Sequence, residues 1–424
     1  MLHSAQVPTG VRAAGVRRAH TAAVAGGVAG ARVGQRRGLV LPAEVEPALP
    51  EIHVDGVGAV SIISDSDPVP MPGVFRNIDG HRNEDGRYAA FTDEISGFIP
   101  RERQFTDPVR TFAYGTDASF YRLNPRMVVK VHSEAEVARI LPIARRLGVP
   151  VTFRAAGTSL SGQAITDSVL LKLSHTGRNF RRYEIHGDGS AITVEPGLIG
   201  GEINRLLAAH KQRHNHPIQY KIGPDPSSID SCMIGGMVAN NSSGMCCGVS
   251  QNTYHTLRDL RAVFADGSVL DTANPASCDA WVKAHPQLVA GVAALASRVQ
   301  GDRQLAALVR RKFAIKCTTG YSLNALVDFP VSDPVEIIKR LLIGSEGTLG
   351  FVSQATYNTV PEWPHKASTF VMFPDIYSAC RGASVLRDQT AVDAVEMFDR
   401  ASLRFPLGSE GNCVAASNCA LNVN

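Results

Sequence analysis

The chain closes none of its glycine-rich loops with Lys-Ser or Lys-Thr, has no Gly-x-Gly-x-x-Gly, and pairs none of its eight cysteines as Cys-x-x-Cys. The first two absences remove the P-loop nucleotidases and the dinucleotide Rossmann turn. The third removes the common zinc ribbons and thioredoxin-type redox motifs, and irregular cysteine spacing in so long a chain points to a reducing compartment. Cys246 and Cys247 are adjacent and read as small buried fillers of a tight loop. No paired carboxylates, no Ser/His/Asp set and no metal-type histidine motif stand out. His210, His214 and His216 are close in sequence, but Lys211 and Arg213 intervene and the segment reads as a polar turn rather than a metal site. Residues 1–43 lack both lysine and acid.

Those 43 residues do hold Arg12, Arg17, Arg18, Arg32, Arg36 and Arg37. Taken with their Ala/Gly content, this is the composition of a mitochondrial transit peptide. A leader without an address, leaving the protein cytoplasmic, and a secretory signal are the other readings. Ala22–Ala31 is too short and too glycine-rich to span a bilayer. Without these arginines the rest carries 37 basic against 39 acidic residues, so nothing in the body calls for nucleic acid. Hydrophobic residues make up 44% of the chain, as expected of a soluble protein of two or three domains. Residues 44–93 are rich in Pro, Asp and Gly and read as a linker or disordered stretch.

Periodicity begins near Asp93. Met127–Val131 reads as a strand, and Ser133-Glu-Ala-Glu136 as a capping box that opens a helix through Leu147, closed by Gly148. Further strands are expected at 151–153, 169–173, 191–195, 351–359, 369–373 and 393–398. A hairpin crosses Asp266-Gly267. Helices are expected at 201–210, 287–299, 305–311, 334–342 and 377–386.

The strand at 151–153 runs into Arg154-Ala-Ala-Gly-Thr-Ser-Leu-Ser-Gly162. Small residues let the backbone turn and bring successive N–H groups near an anion, and Thr158, Ser159 and Ser161 add hydroxyls. This is a phosphate or pyrophosphate cradle at the carboxyl end of a parallel strand. A second stretch, Ser231–Leu257, has no formal charge if His255 is neutral. It offers Gly235, Gly236 and Gly244 for close approach, and Asn240, Asn241, Ser242 and Ser243 as donors and acceptors. Such a mixture suits a flat ring with polar edges. A third stretch, Gly344-Ser-Glu-Gly-Thr-Leu-Gly350, spaces its glycines three apart.

In order and content these three motifs, with Lys221-Ile-Gly-Pro-Asp-Pro226, resemble the p-cresol methylhydroxylase and vanillyl-alcohol oxidase flavoproteins. The likeness runs from about Phe105 to Arg404 and is greatest to the FAD-linked D-lactate dehydrogenase and glycolate oxidase branch. It implies an α+β fold: a two-subdomain FAD-binding domain over 94–365 (core about 122–360), then the start of a truncated α/β cap domain over 366–424. The implied FAD contacts are Arg154, Ala156, Gly157, Thr158, Ser159, Leu160, Ser161 and Gly162, then Pro224, Asp225, Ser231, Gly235, Gly236, Asn241 and Gly244, then Glu346, Gly347 and Phe351. Thr158 stands where tethered members carry histidine, so the flavin is expected to be held without a covalent bond.

The implied chemistry is hydride removal from a D-2-hydroxy acid, D-lactate foremost, to flavin N5, with electrons passed to cytochrome c or a quinone. In the resembling enzymes the base and the carboxylate-binding cations belong to the cap, and family pattern is lost over Phe405–Asn424. No catalytic residue and no metal ligand is therefore assigned, and the chain is expected to be incomplete. The alternative is a non-catalytic FAD-binding fragment or subunit. A partly built α/β layer leaves apolar surface exposed. Limited proteolysis is expected to cut within 366–424 first, and a tail that resists digestion would count against a partly built cap.

Overall fold

A computed structural model describes residues 86–174, 177–367, 369–390, 392–399 and 415–417. The transit-peptide assignment (1–43) and the linker assignment up to residue 85 lie outside the described residues. Residues 86–93, also assigned to the linker, instead lie in helix α1 (Gly86–Ser96), because Tyr88, Phe91 and Ile95 at helical spacing bury one face.

The first sheet is made of β1 (Gln104–Phe105), β2 (Met127–Val131), β3 (Val151–Arg154) and β4 (Val169–Leu173), in the order β1-β2-β4-β3. β2, β4 and β3 are parallel and β1 is antiparallel. β4 is buried at every position, as its unbroken Val-Leu-Leu-Lys-Leu implies for a central parallel strand. The short α2 (Pro108–Ala113) follows β1, and α3 (Glu134–Leu147) carries the chain from β2 to β3. Ser133 Oγ accepts from Glu136 N, as the capping box predicts, while the Glu136 carboxylate accepts from His132 N.

The second sheet is antiparallel: β5 (Tyr183–His186), β6 (Ala191–Val194), β10 (Phe351–Asn358), β8 (Leu257–Val263) and β9 (Val269–Asp271), in that order. The minor strands β7 (Tyr220–Lys221) and β11 (Val360–Pro361) pair with each other. Around this sheet lie α4 (Gly200–His214), α5 (Ile234–Ala239), α6 (Thr253–Thr256), α7 (Pro275–Ala284), α8 (Pro286–Gly301), α9 (Arg303–Phe313), α10 (Ala325–Asp328) and α11 (Pro334–Leu342). Two mainly parallel and antiparallel sheets in one compact unit give the expected α+β class.

α4 runs beyond the expected His210, so His210 and His214 are helical and only His216 follows the Asn215 cap. Beyond β11, β12 (Thr369–Val371) pairs with β13 (Ala415–Ser417), and α12 (Ile376–Gln389) packs nearby. Asp393–Phe398 does not form the expected strand. Apolar residues do not make a strand without a neighbouring ladder, and β12 is paired with β13 instead.

The two sheets share side chains. Val263 of β8 and Phe351 of β10 are buried with Val129, Val131, Leu171 and Leu173 of the first sheet. Each such side chain contributes about 1.5–3 kcal/mol by leaving water. Across the same seam the Arg261 guanidinium donates to both Glu134 carboxylate oxygens, at 2.7 and 3.0 Å, and Ser353 Oγ donates to Glu134 at 2.5 Å. The β8–β9 turn leans on α3. Gly267 has φ +82°, and a Cβ there would meet Ala138 O and the Pro142 ring. Gly267→Ala is expected to cost about 1–3 kcal/mol through overpacking and the left-handed backbone. Urea unfolding would show this as a lower midpoint at unchanged slope, and an unmoved midpoint would contradict the contact.

Candidate cofactor-binding cleft

The chain leaves β3 at its carboxyl end and turns at once, since its pairing with β4 ends at Arg154 and Lys172 and residues 155–162 have no ladder to join. Gly157 has φ +81°, and the Arg154 guanidinium lies beneath it at 2.6–2.9 Å from where a Cβ would stand. The Arg154 side chain donates to Tyr114 O at 3.1 Å and Thr116 O at 2.7 Å, while Ala118 N donates to Gly157 O at 3.1 Å. Arg154 therefore holds the cradle from behind rather than pointing into it. Ser159 Oγ accepts from Ser161 N and Gln163 N, at 3.1 and 3.3 Å, and closes the far side of the turn. Among the described residues no acceptor meets the backbone N–H groups of Gly157, Thr158, Ser159 and Leu160. Consecutive N–H groups without partners are what an anion requires.

The second stretch contains α5, a helix that two glycines disfavour in isolation. It forms because Ile234, Met237 and Val238 are buried in the core of the second sheet. The third stretch then docks on its carboxyl end: Gly344 N donates to Val238 O at 3.0 Å and Glu346 N to Ala239 O at 2.9 Å. Asn240 Nδ2 donates to Glu346 Oε1 at 2.7 Å. Glu346 sits at φ +51°, and burial pushes its carboxyl above the usual range while the Asn240 bond pulls the other way. The third stretch also reaches the first, since Gly347 lies against Phe153 and the Phe153 and Phe351 rings are 5.1 Å apart.

These contacts draw three distant parts of the sequence around one cleft of about 640 Å3. Of the sequence-predicted residues, Ala156, Gly157, Thr158, Ser159, Leu160, Ser161, Asp225, Gly235, Gly236, Gly244, Glu346, Gly347 and Phe351 line it. Arg154, Gly162, Pro224, Ser231 and Asn241 do not. Gly162 backs onto Tyr121, Pro224 is buried, and exposed Ser231 donates to Ser228 O. Asn241 is buried at φ +51° and accepts from Tyr254 N at 2.9 Å. Asp225 lines the cleft and also accepts from Cys246 N and Cys247 N, at 3.3 and 3.1 Å. Burial, helped by Asp225, pushes the Cys247 thiol up to about 11, which fits the buried-filler reading of Cys247, whereas Cys246 is only half-buried.

Sequence reasoning missed Gln163, Met245, Lys316, Thr318 and Glu396, which also line the cleft. Lys316-Cys-Thr-Thr-Gly320 carried a signal, as a further run of small residues next to a lysine. Glu396 carried none. His210, His214 and His216 do cluster, with ring centroids 4.5–5.7 Å apart and planes inclined 29–46°. Among the described residues, however, no group of three or more His, Cys, Asp or Glu side chains is arranged to hold a metal ion.

Residues 125–273, which carry the cradle and the second stretch, match the family described as an FAD binding domain. This chain contains an FAD-binding domain. In structure it is similar to p-cresol methylhydroxylase, with a TM-score of 0.50 at 11% identity over 80% of this chain and 62% of that one, so the fold is shared. In sequence it is similar to a D-2-hydroxyglutarate dehydrogenase of Pantoea ananatis (28% identical over 294 residues, 67% of this chain and 27% of that protein). It is also similar to the glycolate oxidase subunit GlcD of Escherichia coli (34% over 160 residues, 37% and 30%). A third relative is D-lactate dehydrogenase (cytochrome) 1, mitochondrial, of Saccharomyces cerevisiae (25% over 296 residues, 68% and 38%). The chain thus spans less than two fifths of the length of each of these relatives.

The FAD-binding domain fits its cofactor on its own geometry. Its N–H groups lack acceptors at the cradle, a Cβ on Gly236 would meet nothing within 4 Å, and Ser243 Oγ is buried without a partner at the cleft wall. Asn241 supports that wall without lining it. Asn241→Ala is expected to cost about 2–4 kcal/mol, from a lost buried hydrogen bond and a left-handed backbone. Asn241→Gly should recover the backbone part. Equal thermal shifts for the two variants would show that the conformation carries no weight.

Proposed function

We propose that this chain holds FAD in the cleft without a covalent bond and serves the oxidation of a D-2-hydroxy acid to the 2-oxo acid. The observation that carries this reading is the convergence of the three small-residue turns on one cleft, with unpaired N–H groups at the first of them. The cradle from Ala156 to Ser161 takes the diphosphate. Asp225, Gly235, Gly236, Ser243 and Gly244 lie along the ring and ribityl chain, and Glu346, Gly347 and Phe351 beside the adenosine half. FAD, when bound, supplies the hydride acceptor. This chain's own part is to orient that group, keep it from bulk water and leave one side of the cleft open to the acid.

Support for a 2-hydroxy acid as substrate comes from the three relatives, whose names specify D-2-hydroxyglutarate, glycolate and D-lactate. The D-lactate expectation draws on one of the three, and D-2-hydroxyglutarate and glycolate stand beside it. Electron transfer to cytochrome c or a quinone belongs to the same proposal. Among the described residues no helix is long and apolar enough to cross a membrane.

Full-length protein reconstituted with FAD is expected to be yellow, and acid precipitation should release the colour into the supernatant because Thr158 offers no tether. Colour that stays with the pellet would contradict non-covalent binding. Anaerobic addition of D-2-hydroxyglutarate, D-lactate or glycolate should bleach the oxidised band with one of them. A yellow protein that none of the three bleaches favours the reading as a cofactor-binding unit without turnover.

A further inference from the structure

The carboxyl end of the parallel sheet holds three cations side by side. Lys130 of β2 is in register with Lys172 of β4, and Lys172 with Arg154 of β3. In-register residues of parallel strands share one face, so the three side chains stand in a row. They lie on the face opposite Phe153 and Leu173, which line the cleft, and so they approach the cradle from behind. The central one is buried: Lys172 is 8% exposed. Its ammonium donates to Ala155 O of the cradle at 2.7 Å and to Leu173 O at 2.9 Å. Arg154 lies under Gly157, with Nε buried and unpaired.

Like charges directly opposite one another destabilise a sheet, and a buried cation costs more when no carboxylate meets it. No ion pair joins Lys172 to an acid among the described residues; it meets only carbonyl oxygens. Charged neighbours offer it no relief, since Arg154 on β3 and Lys130 on β2 both repel it. Beyond them, Asp117 and Tyr114 face Arg154 from the loop under the cradle. Burial first, and then Arg154 and Lys130, lower the Lys172 ammonium to about 8. An arrangement that weakens the fold at the carboxyl edge of a parallel sheet, where ligands bind, has an explanation if an anion completes it.

We infer that Lys172, at the centre of the Lys130–Lys172–Arg154 row, is a positioning residue for the anionic part of the cofactor. Its ammonium fixes the Ala155 carbonyl so that the following N–H groups face the cleft, and its charge is balanced by the diphosphate in front of them. The inference rests on the proposed seating of FAD. It has a further consequence. A bound diphosphate favours the charged ammonium and raises its pKa above the free value, so FAD binding takes up a proton where the free lysine is neutral. Affinity is then full below about pH 8 and falls as pH rises above it, by at most tenfold per pH unit.

The test compares the full-length wild type with Lys172→Met, measuring FAD dissociation constants from pH 6.5 to 9.5 and the melting temperature with and without FAD. For the wild type, FAD is expected to bind about sevenfold more weakly at pH 9.5 than at pH 7, which corresponds to a rise of about one pK unit in the linked group on binding. Lys172→Met is expected to bind about tenfold more weakly at pH 7 with a flat profile, while its cofactor-free melting temperature stays level or rises as a buried unpaired cation is removed. A wild-type profile that is already flat overturns the inference even if the variant does not fold. So does a variant that binds as tightly as wild type, or one whose affinity and cofactor-free stability fall together. A wild type that takes up no FAD at any pH instead removes the proposed function, which keeps the two failures apart.

Discussion

Two backbone hydrogen bonds hold the site together: Gly344 N to Val238 O and Glu346 N to Ala239 O. They tie the turn before β10 to the end of α5, two segments more than a hundred residues apart in sequence. Because β10 is the central strand of the antiparallel sheet and Phe351 at its start is buried in the core of the parallel one, these bonds also fix how the two sheets meet. The cradle on β3 enters the same junction through Phe153. None of the three turns could define a cleft by itself. Each is short and built of small residues, and each takes its position from a partner that lies in another part of the fold.

That constraint explains which parts of the molecule were legible in the sequence. β2, α3 and β4 could be read directly, since their capping residues and unbroken apolar runs are local signals. α5 could not, because its glycines argue against a helix and only the burial of Ile234, Met237 and Val238 overrides them. α7 was missed although Asn274 and Pro275 mark its start, with Asn274 Oδ1 accepting from Ala276 N and Ser277 N. The strand expected at Asp393–Phe398 failed for the opposite reason: apolar residues were present locally, but among the described residues a ladder partner was not.

The site followed the same rule. Residues whose smallness is the signal, such as Gly157, Gly235 and Gly347, line the cleft as expected. Two of those singled out for charge or polarity, Arg154 and Asn241, stand behind it, while Asp225 and Glu346 line it. A guanidinium or an amide in a turn of small residues does more by satisfying carbonyl and N–H groups from the rear than by entering the cleft, because there it spares buried backbone groups the cost of having no partner. Lys316 stands beside a run of small residues, Cys317-Thr-Thr-Gly320, but that run is a weak local signal, and only the fold brings the loop after α9 back to the cleft.

The row Lys130, Lys172 and Arg154 carries this further. Each of these residues is the single cation at the end of an otherwise uncharged strand, and three strands read separately suggest no more than ordinary edge residues. Only the order β2-β4-β3, which places the last strand in sequence between the other two, brings Lys172 beside both Lys130 and Arg154 and under the cradle. Had β4 formed at the edge of the sheet instead, its lysine would have reached solvent and only Arg154 would have stood beneath the cradle. The crossover that gives the cradle a free strand end therefore also gives it a cation behind that end, so its shape and its charge follow from one feature of the topology.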